Sequence, residues 1–143
     1  MTSDVKQRLQ FCQGKLMQLV SQPRRPHDSL REGEVPQSIG VYCLYENGLD
    51  VPFYVGKATK AEKKPSGQAS GLRFRIIDNH LGRRGNDNVL RYISEERLTD
   101  RSGAKQYMKE NCSCRWLVLD NEREAFLVEH FLIAMFDPRL NRG

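Results

Sequence analysis

The chain reads as an α+β domain in which a small sheet is flanked by helices. Three observations lead there. Two β-rich runs, Gly40-Val41-Tyr42-Cys43-Leu44-Tyr45 and Phe53-Tyr54-Val55-Gly56-Lys57, flank an Asn47-Gly48 pair, a strong short-range hairpin signal even within a loop longer than two residues. A third β-rich run, Arg115-Trp116-Leu117-Val118-Leu119, arrives much later. Helical spacing of apolar residues fills most of the remainder, giving the order helix, two strands, several helices, strand, helix.

With 143 residues the chain is long enough for one core and too short for two comfortable ones. Hydrophobic residues make up 38% and charged residues 29%, with a mean hydropathy of -0.64, so the surface is strongly solvated. The formal net charge of +5 favours a polyanionic partner, although by itself it is a weak pointer to nucleic acid. Of the four cysteines only Cys112 and Cys114 are close, and neither a CxxC pair nor a histidine couple completes a zinc site. Reduced thiols are the plain reading. The N-terminus lacks the apolar core of a signal peptide, and no run approaches the ~18 apolar residues of a spanning helix. A cytoplasmic protein with no membrane partner is expected.

Taken in order, residues 1–37 form an N-terminal helix and a polar linker, and residues 38–143 form the main domain. Ser3 or Asp4 caps a helix to Val20 whose Val5, Leu9, Cys12, Leu16 and Leu19 recur near helical spacing. This helix packs either on the domain or on a second subunit, so a homodimer is one expectation. Pro23 to Asp28 breaks it, and a solvated, partly basic linker runs on to Pro36. After the hairpin, Ala58 to Gly71 is rich in Lys, Gly and Ser, with Lys60, Lys63 and Lys64; it is a clamp on DNA or a solvated loop. Leu72 to Leu81 reads as a helix stopped near Gly82. The basic link Arg83-Arg84-Gly85 leads to Asn86 or Asp87, either of which can cap a helix through Val89, Leu90 and Ile93. Thr99 to Glu110 is a further helix. Asn121 caps the last one, which ends near Asp137, before Pro138.

That last helix holds an anomaly. From Ala125 to Phe136 every residue is apolar except Glu129 and His130, so the helix should be largely buried. A carboxylate there costs several kcal/mol unless it is compensated. Glu129 therefore faces a solvated cleft, or meets a metal or a basic partner, an ordinary salt bridge to an arginine being the simplest case. The glycine beside each hairpin tyrosine points to close approach of a backbone or ligand near Tyr42 and Tyr54.

Gly40-Val41-Tyr42, Tyr54-Val55-Gly56-Lys57, Arg75, Glu129 and Asn141 resemble the GIY-YIG nuclease domain in residue type and order, over about residues 38 to 142. The terminal segment from Glu129 to Asn141 is similar to the end of that domain in the bacterial excision-repair incision nuclease. The resemblance implies hydrolysis of a DNA phosphodiester with one divalent ion, on a small three-stranded antiparallel sheet flanked by helices. Glu129 would bind Mg2+ or Mn2+, and Arg75 would steady charge on the attacked phosphate. Tyr42 would be the general base, with Tyr54 and Lys57 assisting, and Asn141 would orient the phosphate or metal shell. Lys60, Lys63, Lys64, Arg73, Arg83 and Arg84 are the candidate DNA-contacting cations.

One position departs from the family pattern. A histidine or tyrosine is expected four residues after the arginine, where Asn79 stands, and His80 comes one later. At about 100° per residue, His80 lies roughly 140° from Arg75 on a regular helix. A bulge realigns His80, the helix frays, or Asn79 substitutes. Two functional classes remain: a metal-dependent DNA endonuclease, restriction-like, mobile-element-associated or structure-specific in repair, and a non-catalytic DNA-binding module on the same fold. The long insertion after Lys57 resembles the loops of restriction enzymes of this superfamily.

Overall fold

The computed structural model describes residues 2–60, 69–82 and 87–142. Its sheet is antiparallel and follows the order β1-β4-β2-β3, from β1 (Arg25–Pro26), β2 (Gly40–Glu46), β3 (Tyr54–Ala58) and β4 (Cys112–Val118). The three expected strands form its body. The fourth, β1, lies in the segment read as linker, where Arg25 and Pro26 pair with Cys114 and Ser113. Arg24 anchors the approach by donating to Ser113 Oγ and to the carbonyls of Glu46 and Leu49. A two-residue strand has no periodicity of its own, and a proline is tolerated because the strand lies at the sheet edge.

Strand β2 pairs with both β3 and β4, and all of it up to Tyr45 is buried. Val41, Cys43 and Tyr45 face one layer, made with Leu19 of α1 (Ser3–Val20) and Ala125, Val128 and Leu132 of α5 (Glu122–Phe136). Tyr42 and Leu44 face the opposite layer, with Leu72, Ile76, Ile93 and Met108. A strand covered on both sides reads as a continuous apolar run, which is why β2 shows no alternation. Leu19 is wholly buried, so α1 packs on this chain's own sheet.

Caps follow the side-chain chemistry. Thr2, one residue before the expected position, accepts from Val5 N; Asp87 caps α3 (Asn88–Glu96), Asp100 caps α4 (Arg101–Asn111) and Asn121 caps α5. Asp137 ends α5 in the left-handed region at φ 47°. The expected burial of α5 holds only for one stripe, Ala125, Val128 and Leu132, while Phe126 and Met135 are more than half exposed. One face meets the sheet, and α1 leaves those two residues uncovered.

The segment expected to be a regular helix from Leu72 is not regular. A short α2 (Gly71–Arg73) passes directly into a π-helix, Phe74–His80, closed by Leu81 N–H to the Ile76 carbonyl. It stops at Gly82, φ 75°. At the far edge of the sheet Leu140 N–H bonds the Phe53 carbonyl, so the C-terminal segment covers β3. Among the described residues no helix is long and apolar enough to cross a membrane.

Candidate active site

Tyr42 is wholly buried in β2, opposite Gly56 in β3. A Cβ on Gly56 would collide with Cζ and Oη of Tyr42, so the glycine exists to let the tyrosine ring cross the neighbouring strand. Gly40 answers the same need against the backbone of Leu117. The rings of Tyr42, Tyr54 and His80 form a cluster, with centroids 6.2 Å apart for the two tyrosines, 5.3 Å for Tyr42 and His80, and 5.4 Å for Tyr54 and His80.

The π-helix explains how His80 joins that cluster. Its hydrogen bonds span five residues, one more than an α-helix, so positions five apart come back toward the same face. Arg75 Nε donates to Tyr42 Oη at 3.4 Å, and His80 Nε2 lies 2.6 Å from the same oxygen. Of the three ways to read the shifted histidine, realignment by a bulge is the one observed. Asn79 is buried elsewhere on the turn.

His80 is itself wholly buried, and its Nδ1 lies 2.9 Å from Asp87 Oδ2. Burial pushes the Asp87 carboxyl up, but the His80 contacts and the backbone N–H groups of Leu90 and Val89 more than offset it, leaving the group below its ordinary value. An ionised carboxylate only accepts, so Nδ1–H donates to it and Nε2 accepts from the Tyr42 hydroxyl. Burial lowers the His80 pKa, opposed by the Asp87 hydrogen bond, and the ring is neutral near pH 7. Burial also raises the Tyr42 phenol well above its ordinary value, with Arg75 pulling the other way. Burial likewise raises Tyr54. Asp87 was legible only as a helix cap; its second partner, seven residues back, becomes visible when the π-turn is known.

On the other face of the sheet Lys57 Nζ meets Glu129 Oε1 at 3.1 Å, with the Glu129 side chain 13% exposed. The compensating cation is thus the lysine of the hairpin rather than an arginine. His130 Nδ1 stands 3.8 Å from the same oxygen. Among the described residues no three acidic, histidine or cysteine groups gather as a metal cage. A single, partly exposed carboxylate fits a hard ion such as Mg2+, which keeps most of its waters, and does not fit zinc. Tyr54 is within electrostatic reach of both Arg75 and Glu129, so the two halves meet across β3.

A cleft of about 290 Å3 beside them is lined by Lys57, Thr59, Lys60, Gly71, Phe74 and Arg75. Two expected site residues are engaged otherwise. Asn141 accepts from Val55 N and donates to Val55 O, both at 2.8 Å, so it clamps β3 instead of reaching toward a phosphate. Arg73 Nε donates to the Val35 carbonyl at 2.8 Å and braces the segment before β2. Lys63, Lys64, Arg83 and Arg84 lie outside the described residues.

The chain is 33% identical over 110 residues, 76% of its length, to UvrABC system protein C of Solibacter usitatus. That match covers the sequence that carries both tyrosine-glycine motifs. The chain is similar to the GIY-YIG nuclease superfamily in its motifs and to that relative in sequence. It spans 13% of the length of that relative. No family model matches it. Among solved structures it is similar to the GIY-YIG N-terminal endonuclease domain of UvrC from Thermotoga maritima. A tyrosine variant of that domain bound to the catalytic divalent cation gives 27% identity and a TM-score of 0.46, covering 76% of this chain and 88% of that one. Its magnesium-bound form gives 25% identity and a TM-score of 0.43, covering 73% and 84%. The structure departs from the expected regular helix at the π-turn, which brings His80 rather than Asn79 to Tyr42.

Proposed function

We propose that this chain is a divalent-metal-dependent DNA endonuclease that hydrolyses a phosphodiester bond. The observation that carries the reading is the hydrogen-bonded line from Arg75 through Tyr42 Oη to His80 Nε2, 3.4 Å and 2.6 Å, beside a cleft lined by Lys57 and Lys60. A phenol with reference pKa near ~10, raised further by burial, is no base while it keeps its proton. It becomes one when His80 Nε2 takes that proton as Tyr42 accepts another from the attacking water. The water oxygen then forms a bond to phosphorus while the bond to the leaving oxygen breaks. After the product departs, Tyr42 gives the proton it took to solvent water and regains its own from the imidazolium, which restores both groups.

Arg75 presents charge to the phosphate oxygens as well as to Tyr42. Glu129 would hold the ion; when bound, a divalent cation there polarises the phosphate and neutralises the leaving oxygen. Lys57 keeps the Glu129 carboxylate compensated and supplies a cation to the cleft. Asn141 serves by holding Val55, and so the second motif, in register. Lys60 would touch the DNA backbone, with Lys63, Lys64, Arg83 and Arg84 as further candidates.

The similarity to UvrABC system protein C favours the structure-specific repair reading over the other two. The restriction-like or mobile-element reading rests on the insertion after Lys57, most of which is outside the described residues. Plasmid cleavage with Mg2+, Mn2+ or chelator tests the activity, and sequencing the ends separates the targets. One repeated palindromic site supports restriction, whereas breaks confined to branched or lesion-bearing DNA support repair.

A non-catalytic DNA-binding module is the second reading. It is favoured by the Lys57–Glu129 ion pair, which satisfies the carboxylate without any metal. It predicts salt-sensitive binding and intact DNA under every metal.

A further inference from the structure

We infer that Asp87 is a positioning residue for the base, holding His80 in the one tautomer that can take the proton of Tyr42. The inference rests on the nuclease reading of this site and concerns a residue outside its motifs.

Asp87 has an ordinary structural duty, since its side chain caps α3 through Leu90 N at 3.3 Å. Serine or asparagine would cap as well, so the cap alone does not call for a carboxylate. The other partner does. Oδ2, the oxygen that meets Leu90, also lies 2.9 Å from His80 Nδ1, with the histidine side chain 0% exposed and the aspartate 6%. A buried carboxylate is expensive to keep ionised, and this one is kept so by the contacts that meet it.

The consequence is set by which ring nitrogen carries hydrogen. With Nδ1–H directed at Asp87, Nε2 is an acceptor 2.6 Å from Tyr42 Oη. With the opposite tautomer, Nε2–H would donate to the phenol and the transfer from Tyr42 would be blocked. The charge formed when Nε2 takes the proton also stands against the Asp87 carboxylate. The groups facing His80 are Tyr42 from β2, Tyr54 from β3, Arg75 from its own helix and Asp87 from the start of α3. His27, after β1, is within electrostatic reach and is held neutral by burial. Arg75 disfavours charge on His80, leaving Asp87 as the group that favours it.

The test uses the full-length chain with Asp87→Ser and Asp87→Asn, both good caps. Serine is too short to replace the carboxylate at His80, and asparagine preserves size should serine impair folding. Ring nitrogen chemical shifts of His80 are read by NMR without DNA or metal. The wild type should show one tautomer, protonated at Nδ1, and the serine variant should lose that single form, while the asparagine variant, whose amide oxygen still accepts, reports the loss of charge through kcat and its acid limb. On cleavable DNA with Mg2+, kcat should fall about 10- to 100-fold with KM for DNA unchanged. The acid limb of kcat should move to lower pH, because the group that raises the His80 pKa is gone. An unchanged tautomer, kcat and acid limb in a folded variant would overturn the inference and leave Asp87 a helix cap. If wild type cuts no DNA under any metal, the nuclease reading falls, while the tautomer measurement still decides whether Asp87 sets His80.

Discussion

The buried hydroxyl of Tyr42 receives Arg75 on one side and meets His80 on the other, so its chemistry is decided by neighbours that lie 33 and 38 positions away in sequence. Motif order points to Arg75, whereas His80 stands one place beyond its expected position and a bulge is one of three ways to realign it; five steps on a regular helix separate the two residues, and the π-turn reunites them. Removing the phenol oxygen with Tyr42→Phe should lower cleavage ~10²- to 10⁴-fold while leaving DNA affinity intact, as measured by single-turnover kinetics beside a binding titration. His27 sets a different pH response. Burial lowers its pKa to about 4, so the unfolded chain binds a proton over the window from about 6.5 down to that value while the folded chain does not. Stability should be full above pH ~6.5 and fall by up to ~3 kcal/mol as pH drops toward 4, read by urea denaturation at a series of pH values. A flat profile would show that His27 charges without cost. Asn141 marks the limit of motif reasoning, since its type and place were legible while its use, clamping Val55, needed the pairing of the terminal segment with an edge strand.

At the scale of elements, the hairpin was legible because Val41 to Tyr45 and Phe53 to Lys57 are strand-forming runs around a turn with Gly48 at φ 86°. Gly56 is where that hairpin makes room for the Tyr42 ring. Gly56→Ala should displace the Tyr42 ring and abolish cleavage; a variant cutting normally, with Tyr42 unmoved in its crystal structure, would show the strand has slack. The N-terminal helix was ambiguous between own domain and partner because amphipathic spacing does not say whose surface it covers. The structure buries Leu19 among Val41, Val128 and Leu132 of the same chain. Leu19→Ala should therefore cost about 2–5 kcal/mol in chemical denaturation, independent of protein concentration. A cost that vanished on dilution would point to a second subunit instead. Strand β1 and the exposed side of α5 escaped prediction for related reasons, since two residues carry no period and an all-apolar helix does not mark its outer face.

For the whole molecule, the decisive feature is that the proposed site draws on two faces of one sheet. Tyr42, Tyr54, Arg75 and His80 stand on one side, Lys57 and Glu129 on the other, and they meet around β3. The fold class could be read from element order, but this division followed from register, with Tyr42 opposite Gly56 and Val41 opposite Lys57. The basic balance of the chain supports DNA as substrate and does not by itself distinguish cutting from holding. That distinction rests on Glu129, and Glu129→Gln keeps size while removing the charge needed by a cation. Incubated with supercoiled plasmid and Mg2+, the wild type should produce nicked or linear DNA, and the variant should bind the same DNA yet leave it closed. Equal cleavage by the variant, or intact plasmid with the wild type under Mg2+ and Mn2+ alike, would contradict a metal-dependent nuclease.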